Sequence, residues 1–201
     1  MTADAVVRDA TDADLPAILA IYNDAVAHTT AIWNETPSDL AGRKAWMDER
    51  RRAGFPVLVV DVADGDNIVG AGDLAGRRGG GDAGRDGATG VLPAGGGSRR
   101  VAGYATYGPF RPHDGYRHSV EHSIYVDAAF RGRGLGLLML DALLVRARSA
   151  GFHVMIGGIA AENAASIRLH EKAGFERAAL LREVGRKFDR WLDLQFMTKI
   201  L

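Results

Sequence analysis

Apolar and polar positions alternate with two different periods along this chain, and the switches between them lay out most of its elements. Leu15, Ile18, Leu19, Tyr22 and Val26 recur at helical spacing, which predicts a helix with one apolar face. Thr11-Asp-Ala-Asp14 ahead of it has the form of a capping box, and Ala5–Arg8 before that reads as a short strand. Thr36-Pro37-Ser-Asp39 supplies a cap and a first-turn proline for a second helix ending near Ala53-Gly54, and the β-branched run Phe55–Val62 predicts a strand. Val101–Tyr107 and His118–Val126 are strands separated by the turn-rich stretch Gly108–Arg117. Leu135–Ala150 is apolar nearly all round, which predicts a helix buried on several sides and ended by Gly151. His153–Ile159 follows as a strand, Ala164–Ala173 as a helix stopped by Gly174, and Phe175–Glu183 with Trp191–Thr198 as a closing strand pair. The order β-α-α-β-β-β-α-β-α-β-β implies an α/β fold around a mixed sheet.

The pattern lapses in one place. Between Asp64 and Arg100 the sizeable apolar residues are Ile68, Val69, Leu74, Val91 and Leu92, set among runs of Gly, Arg and Asp. Such a stretch buries too little to offset its ordering entropy, so residues 71–98 are expected to form a flexible insertion within one domain spanning 1–201. Its Arg-Gly character would suit a module that binds single-stranded nucleic acid. The balancing Asp73, Asp82 and Asp86 and the lack of interleaved aromatics favour an expanded hairpin loop, which adds little closure cost. The flanks Asn67–Gly72 and Arg100–Tyr107 resemble each other; the second, longer and more aromatic, is taken as the returning strand.

Composition narrows the chemistry. The 201 residues, 47% of them hydrophobic, suffice for one real core, and the zero formal net charge provides no global field for nucleic acid or an anionic membrane. Without cysteine there are no disulfides, thiolate metal sites or cysteine acyl-enzymes, which agrees with the cytoplasm. The N-terminus lacks a basic segment followed by an apolar one, and no apolar run approaches about 18 residues. The expectation is a soluble, cytoplasmic protein. His113, His118 and His122 span a loop and a strand with no supporting thiolate, so no metal site is expected.

The chemistry-bearing stretch is the strand Ser123–Val126 running through Arg131-Gly132-Arg133-Gly134-Leu135-Gly136 into the long helix. Glycines at 134 and 136 let the backbone wrap a diphosphate, and the helix start adds unpaired N–H groups and a positive dipole end. The dinucleotide fingerprint fails because Leu137 or Met139 stands where a small residue is needed, and there is no Gly-Lys-Ser/Thr for a nucleotide P-loop. Taken alone, the turn could equally bind nothing.

That turn and the element order resemble the GNAT superfamily of N-acetyltransferases. Six further blocks are similar to its phosphinothricin and methionine sulfoximine (sulfone) branch: Ile21–Val26, Thr29–Thr36, Gly103–Gly108, Gly115–Val126, Asn163–His170 and Gly185–Leu194. The resemblance covers the chain outside about residues 65–100. It implies a mostly antiparallel sheet splayed in the middle and flanked by about four helices. It further implies acetyl-CoA as co-substrate, a small amino-acid analogue as acceptor, and a homodimer.

It also implies roles. An α-amino group of pKa about 8 or higher must lose a proton before attacking a thioester, and Glu121 matches the family's base. Outside the family it would read as a surface carboxylate paired with His118 or Arg117. Backbone amides around Ile124, Tyr125 and Val126 would hold the oxyanion and the pantetheine arm. Arg131, Gly132, Arg133, Gly134, Leu135 and Gly136 would grip the pyrophosphate, with Asn163 and Ser166 on the arm or phosphates; Asn163 also suits a helix cap. Many superfamily members carry a tyrosine acid where this chain has His170, which would protonate the leaving thiolate or simply be a hydrogen-bonded helix residue. An arginine fork for the acceptor's carboxylate would be Arg111, with Pro112 and His113 in its loop, or else Arg117. Thr30 and Trp33 would wall the acceptor pocket, unless Trp33 is core packing.

Overall fold

The computed structural model describes residues 5–63 and 99–201. The predicted insertion at 71–98 and the flank Asn67–Gly72 lie outside them. Seven strands, β1 (Val6–Asp9), β2 (Val57–Ala63), β3 (Arg99–Pro109), β4 (Ser119–Val126), β5 (Val154–Ala160), β6 (Glu176–Lys187) and β7 (Arg190–Ile200), form one sheet in the order β1-β2-β3-β4-β5-β7-β6. Every neighbouring pair is antiparallel except β4 and β5. The returning strand is the one formed by the second flank, with Tyr104 opposite Val59.

Four helices, α1 (Leu15–His28), α2 (Leu40–Arg52), α3 (Leu135–Ser149) and α4 (Ala164–Lys172), cover the two faces. The spacing read from the sequence buries Leu15, Ile18, Tyr22 and Val26 of α1 against Val57, Val59 and Tyr104 in one core, with Met47 of α2. A second core on the opposite face packs Leu135, Met139, Leu140, Leu143 and Leu144 of α3 on Leu58, Val60 and Val120. Helix α3 is not buried on several sides, as the sequence suggested: Leu138 and Val145 stand 40% and 60% exposed beside Asp141, because the opposing sheet covers only one broad face.

Several boundaries also move, two of them by three residues or more. Helix α2 begins at Leu40, with Asp39 as its cap accepting from the Gly42 N–H at 2.7 Å, so Pro37 lies ahead of the helix. One short-side-chain oxygen in range of a free N–H decides the start, and Asp39 is the one in place. Strand β6 runs on to Lys187, past a register shift between Leu181 and Gly185 where Glu183 adopts a positive φ of 50°. A bulge of this kind lets a strand bend without ending. The Thr11 N–H donates to Asp14 at 2.7 Å, as a capping box does, and Arg8 grips the same carboxylate at 2.7 and 2.8 Å.

Candidate active site

The sheet parts where the one parallel pair among the described residues fails. Strands β4 and β5 are in register from Ser119 with Val154 to Glu121 with Ile156, and beyond that point they diverge. Because β3 holds the other edge of β4 throughout, the backbone of 122–126 on the β5 side is left without a strand partner. The gap opens into a cleft of about 590 Å³ lined by Ile124, Tyr125 and Val126 on one side and Ile159 and Ala160 on the other. Unpaired strand edges inside such a cleft hydrogen-bond an extended amide-bearing ligand as a further strand would.

At the far end of the cleft stands the turn into α3. Gly132 and Gly134 have φ of 77° and 81°, a region costly to any residue with a Cβ, and Gly134 is the residue that caps the 15-residue helix. The first N–H groups of α3 therefore face the cleft over a backbone without side chains. Arg131 is exposed at the rim, its Nε donating to the Val126 carbonyl at 3.2 Å, and Arg133 lies over the Phe130 ring at 4.9 Å. A helix start, two bare glycines and a rim guanidinium suit a diphosphate. Replacing Gly134 by Val should weaken the binding of a diphosphate-bearing ligand in this cleft about tenfold, since roughly 1–2 kcal/mol of left-handed strain falls on the turn. Titrating such a ligand against both proteins measures it, and an unchanged affinity would contradict it.

Helix α4 closes the cleft from the other side. Asn163 caps it, its Oδ1 accepting from the Ser166 N–H at 3.0 Å, and both residues line the cleft. One turn on, His170 is buried with Nδ1 2.7 Å from the Ser166 carbonyl and Nε2 3.0 Å from Nε2 of His122 on β4. A carbonyl only accepts, so the proton of neutral His170 is on Nδ1 and its Nε2 accepts from His122 Nε2–H. His122 Nδ1 then carries a bare lone pair, in keeping with that buried atom having no partner. Gly157 makes room for both rings: a Cβ there would stand 2.9 Å from His122 Nε2 and 3.2 Å from His170 Nε2.

Burial pushes His122 down to about 3, with His170 adding to the effect, and burial also lowers His170. The unfolded chain takes up protons near the ordinary value of about 6.5, so between that pH and about 3 it binds more protons than the fold. Stability is therefore complete above about pH 6.5 and falls as the pH drops, by up to about 1.4 kcal/mol per unit for His122. Thermal midpoints between pH 7.5 and 5 should show this slope, and His122→Gln should flatten it; an unchanged slope would contradict the assignment.

Glu121 points to the opposite face, as alternation along β4 requires, and stands half-buried at the parting of the strands. Burial raises its carboxyl above the ordinary value, with the Arg111 charge pulling the other way. None of the ion pairs among the described residues involves Glu121, so it is not the paired surface carboxylate considered from sequence. Gly158 gives the carboxylate its place: a Cβ there would stand 3.0 Å from Glu121 Oε1.

Around this face lie the remaining expected residues. Arg111 is exposed, its guanidinium 4.2 Å from the centre of the Phe110 ring. Pro112 and His113 are exposed in the same loop, and Arg117 turns back to the Asp114 carbonyl at 3.2 Å. Thr30 donates to Glu162 Oε1 at 2.9 Å, and Glu162 holds Arg190 through both oxygens at 2.6 Å. Trp33 donates to the Thr30 carbonyl and packs on Gly185, whose Cβ would stand 2.1 Å from the ring. Beneath them is a residue the sequence reading missed. Lys187, 1% exposed, donates to the carbonyls of Thr29 and Ile32 at 2.7 and 2.5 Å and tethers the loop 29–34 to the β6–β7 hairpin. His122 and Gly158 were likewise missed as site residues, and no local spacing signals them.

A strand pair that parts beside a turn suited to a diphosphate, with a half-buried carboxylate at the point of parting, suits transfer of a group from the end of a long phosphorylated donor to an acceptor that gives its proton to the carboxylate. The acetyltransferase (GNAT) family pattern matches residues 96–175. An L-methionine sulfoximine/L-methionine sulfone acetyltransferase of Pseudomonas aeruginosa is 50% identical over 96% of this chain and 92% of its own length. A crystal structure titled ribosomal-protein-alanine N-acetyltransferase from Brucella melitensis is 48% identical, covers 98% of this chain and 99% of its own, and superposes with a TM-score of 0.77. A GNAT superfamily phosphinothricin acetyltransferase from Sinorhizobium meliloti, solved with acetyl-CoA, is 32% identical over 100% of this chain and 89% of its own, at a TM-score of 0.77. The chain belongs to the GNAT acetyltransferase family. It is an acetyltransferase whose acyl donor is acetyl-CoA, and the cleft between β4 and β5 with its glycine turn fits that donor.

Proposed function

We propose that this enzyme acetylates the α-amino group of a small amino-acid analogue of the methionine sulfoximine, methionine sulfone or phosphinothricin kind. The carrying observation is Glu121, a carboxylate held half-buried at the parting of β4 and β5 with its pKa raised by burial and only Arg111 acting against it. A base with a raised pKa is better matched to an ammonium of pKa about 8 or higher, and such help contributes roughly 10²–10⁴ in rate.

In this reading Glu121 takes the amine proton. Amides of β4 around Tyr125 and Val126 donate to the thioester oxygen as charge grows there. The turn 131–136, with Asn163 and Ser166, holds the donor. Arg111 takes the acceptor's carboxylate, Arg117 being turned to a backbone carbonyl. Thr30 and Trp33 form the wall that Lys187 steadies. His170 enters as a positioning residue, because its one ring proton is committed to Ser166 and its Nε2 to His122; the thiolate leaves without protonation by this side chain. The enzyme works in the cytoplasm as a homodimer, and the exposed Leu180, Leu181 and Val184 on the edge strand β6 support a self-association surface.

Thiol release from acetyl-CoA decides the acceptor. The panel is L-methionine sulfone, L-methionine sulfoximine, phosphinothricin, the ordinary amino acids and a peptide beginning with alanine. Highest kcat/KM with the sulfur or phosphorus analogues is expected. Turnover of the peptide alone would replace this reading with protein N-terminal acetylation, and no release with any amine would end it.

A further inference from the structure

Glu121 does not stand alone on its face of the sheet. On β7, Phe196 is directly opposite Gly158, and Leu194, two residues on, projects to the same side. The site a Gly158 Cβ would occupy is 3.0 Å from Glu121 Oε1, 3.5 Å from Leu194 Cδ1 and 3.7 Å from Phe196 Cε1, so base, aliphatic chain and ring edge converge on one bare point. Outward from there Phe110 meets the Phe196 ring edge to face at 6.1 Å, and Tyr116 meets Phe110 at 5.7 Å. Leu194, Phe196 and Phe110 are only half-buried and Tyr116 is 42% exposed, so an apolar shelf is open to solvent right beside the carboxylate.

We propose that this shelf, with Phe196 at its centre, seats the side chain of the acceptor and makes an acceptor with a long unbranched side chain preferred over alanine. The inference rests on the small amino-acid reading above. An α-amine brought to Glu121 with its carboxylate toward Arg111, the guanidinium over Phe110, can lay its side chain across Phe196 and Leu194. Each apolar carbon laid on such a surface contributes about 0.8 kcal/mol, so the γ-methylene and terminal methyl that methionine sulfone adds to alanine gain discrimination of roughly tenfold from it.

The test compares kcat/KM for L-methionine sulfone and L-alanine in the wild type, Phe196→Ala and Phe196→Leu, with the acetyl-CoA KM measured in each. The ratio of sulfone to alanine should fall roughly tenfold in Phe196→Ala and by less in Phe196→Leu, while the acetyl-CoA KM stays within twofold. Equal loss on both acceptors, with or without a change of oligomeric state, would show that Phe196 only supports the fold or an interface, and an unmoved ratio would remove it from the acceptor site. If Phe196→Ala does not fold, Phe196→Leu and Leu194→Ala carry the same comparison. A wild type that acetylates neither compound overturns the small amino-acid reading and this inference with it; a wild type that acetylates both while the variants leave the ratio unmoved overturns the shelf alone.

Discussion

Glu121→Gln should lower kcat by about 10²–10⁴ and leave the acetyl-CoA KM within twofold. The substitution keeps the shape of the side chain over Gly158 but removes the oxygen pair that can take a proton. Donor binding is spared because Glu121 is not among the residues that line the cleft. The pH profile supplies a second readout. Burial raises the Glu121 pKa, so the wild-type rate falls as the pH drops through a value above the ordinary 4.5, and the variant should lack that limb. A profile identical in the two proteins would take the base role away from Glu121.

The other large effect is expected at Lys187→Met. The part-buried carbonyl of Thr29 and the buried carbonyl of Ile32 lose their donor, at roughly 1–3 kcal/mol each. The total of about 2–6 kcal/mol corresponds to a fall in Tm of roughly 4–24 °C for a domain of this size. Methionine fills much of the volume, so the loss isolates the ammonium's hydrogen bonds from packing. The same loop carries Thr30 and Trp33, so the acceptor KM should rise several-fold while the acetyl-CoA KM does not. An unchanged Tm would mean that Lys187 does not hold the loop.

What could be read from the chain depended on how far apart the partners are in sequence. The β4 strand, its glycine turn and α3 are continuous, and their alternation, glycines and helical run predict the cleft's far end before any coordinates. Element order followed for the same reason, and with it the splayed sheet that the resemblance implied. Where the pattern misled, a nearby choice was underdetermined. Three residues in the run Thr36–Asp39, namely Thr36, Ser38 and Asp39, can cap a helix, and only the Asp39 contact with Gly42 selects among them. Helix α3 is apolar enough to be buried all round, yet only one sheet face is available to cover it.

The contacts that build the site are long-range. Lys187 reaches carbonyls 158 and 155 positions away, and His170 meets His122 across 48. Neither spacing follows a local period, so nothing near Lys187 distinguishes a buried tether from a hairpin charge. Gly158 likewise reads as a strand glycine until the register places Phe196 opposite it and Glu121 across the parting.

The central claim is direct transfer of acetyl from acetyl-CoA to an α-amine deprotonated by Glu121. Its most direct measurement is the stoichiometry of thiol release and product in the wild type with acetyl-CoA and L-methionine sulfone, with the acetylated nitrogen located by mass spectrometry. The account predicts one N-α-acetyl product for each thiol released, and neither in appreciable amount from Glu121→Gln over the same time. Thiol release without acetylated amine, or product formed as fast by the variant as by the wild type, would contradict it.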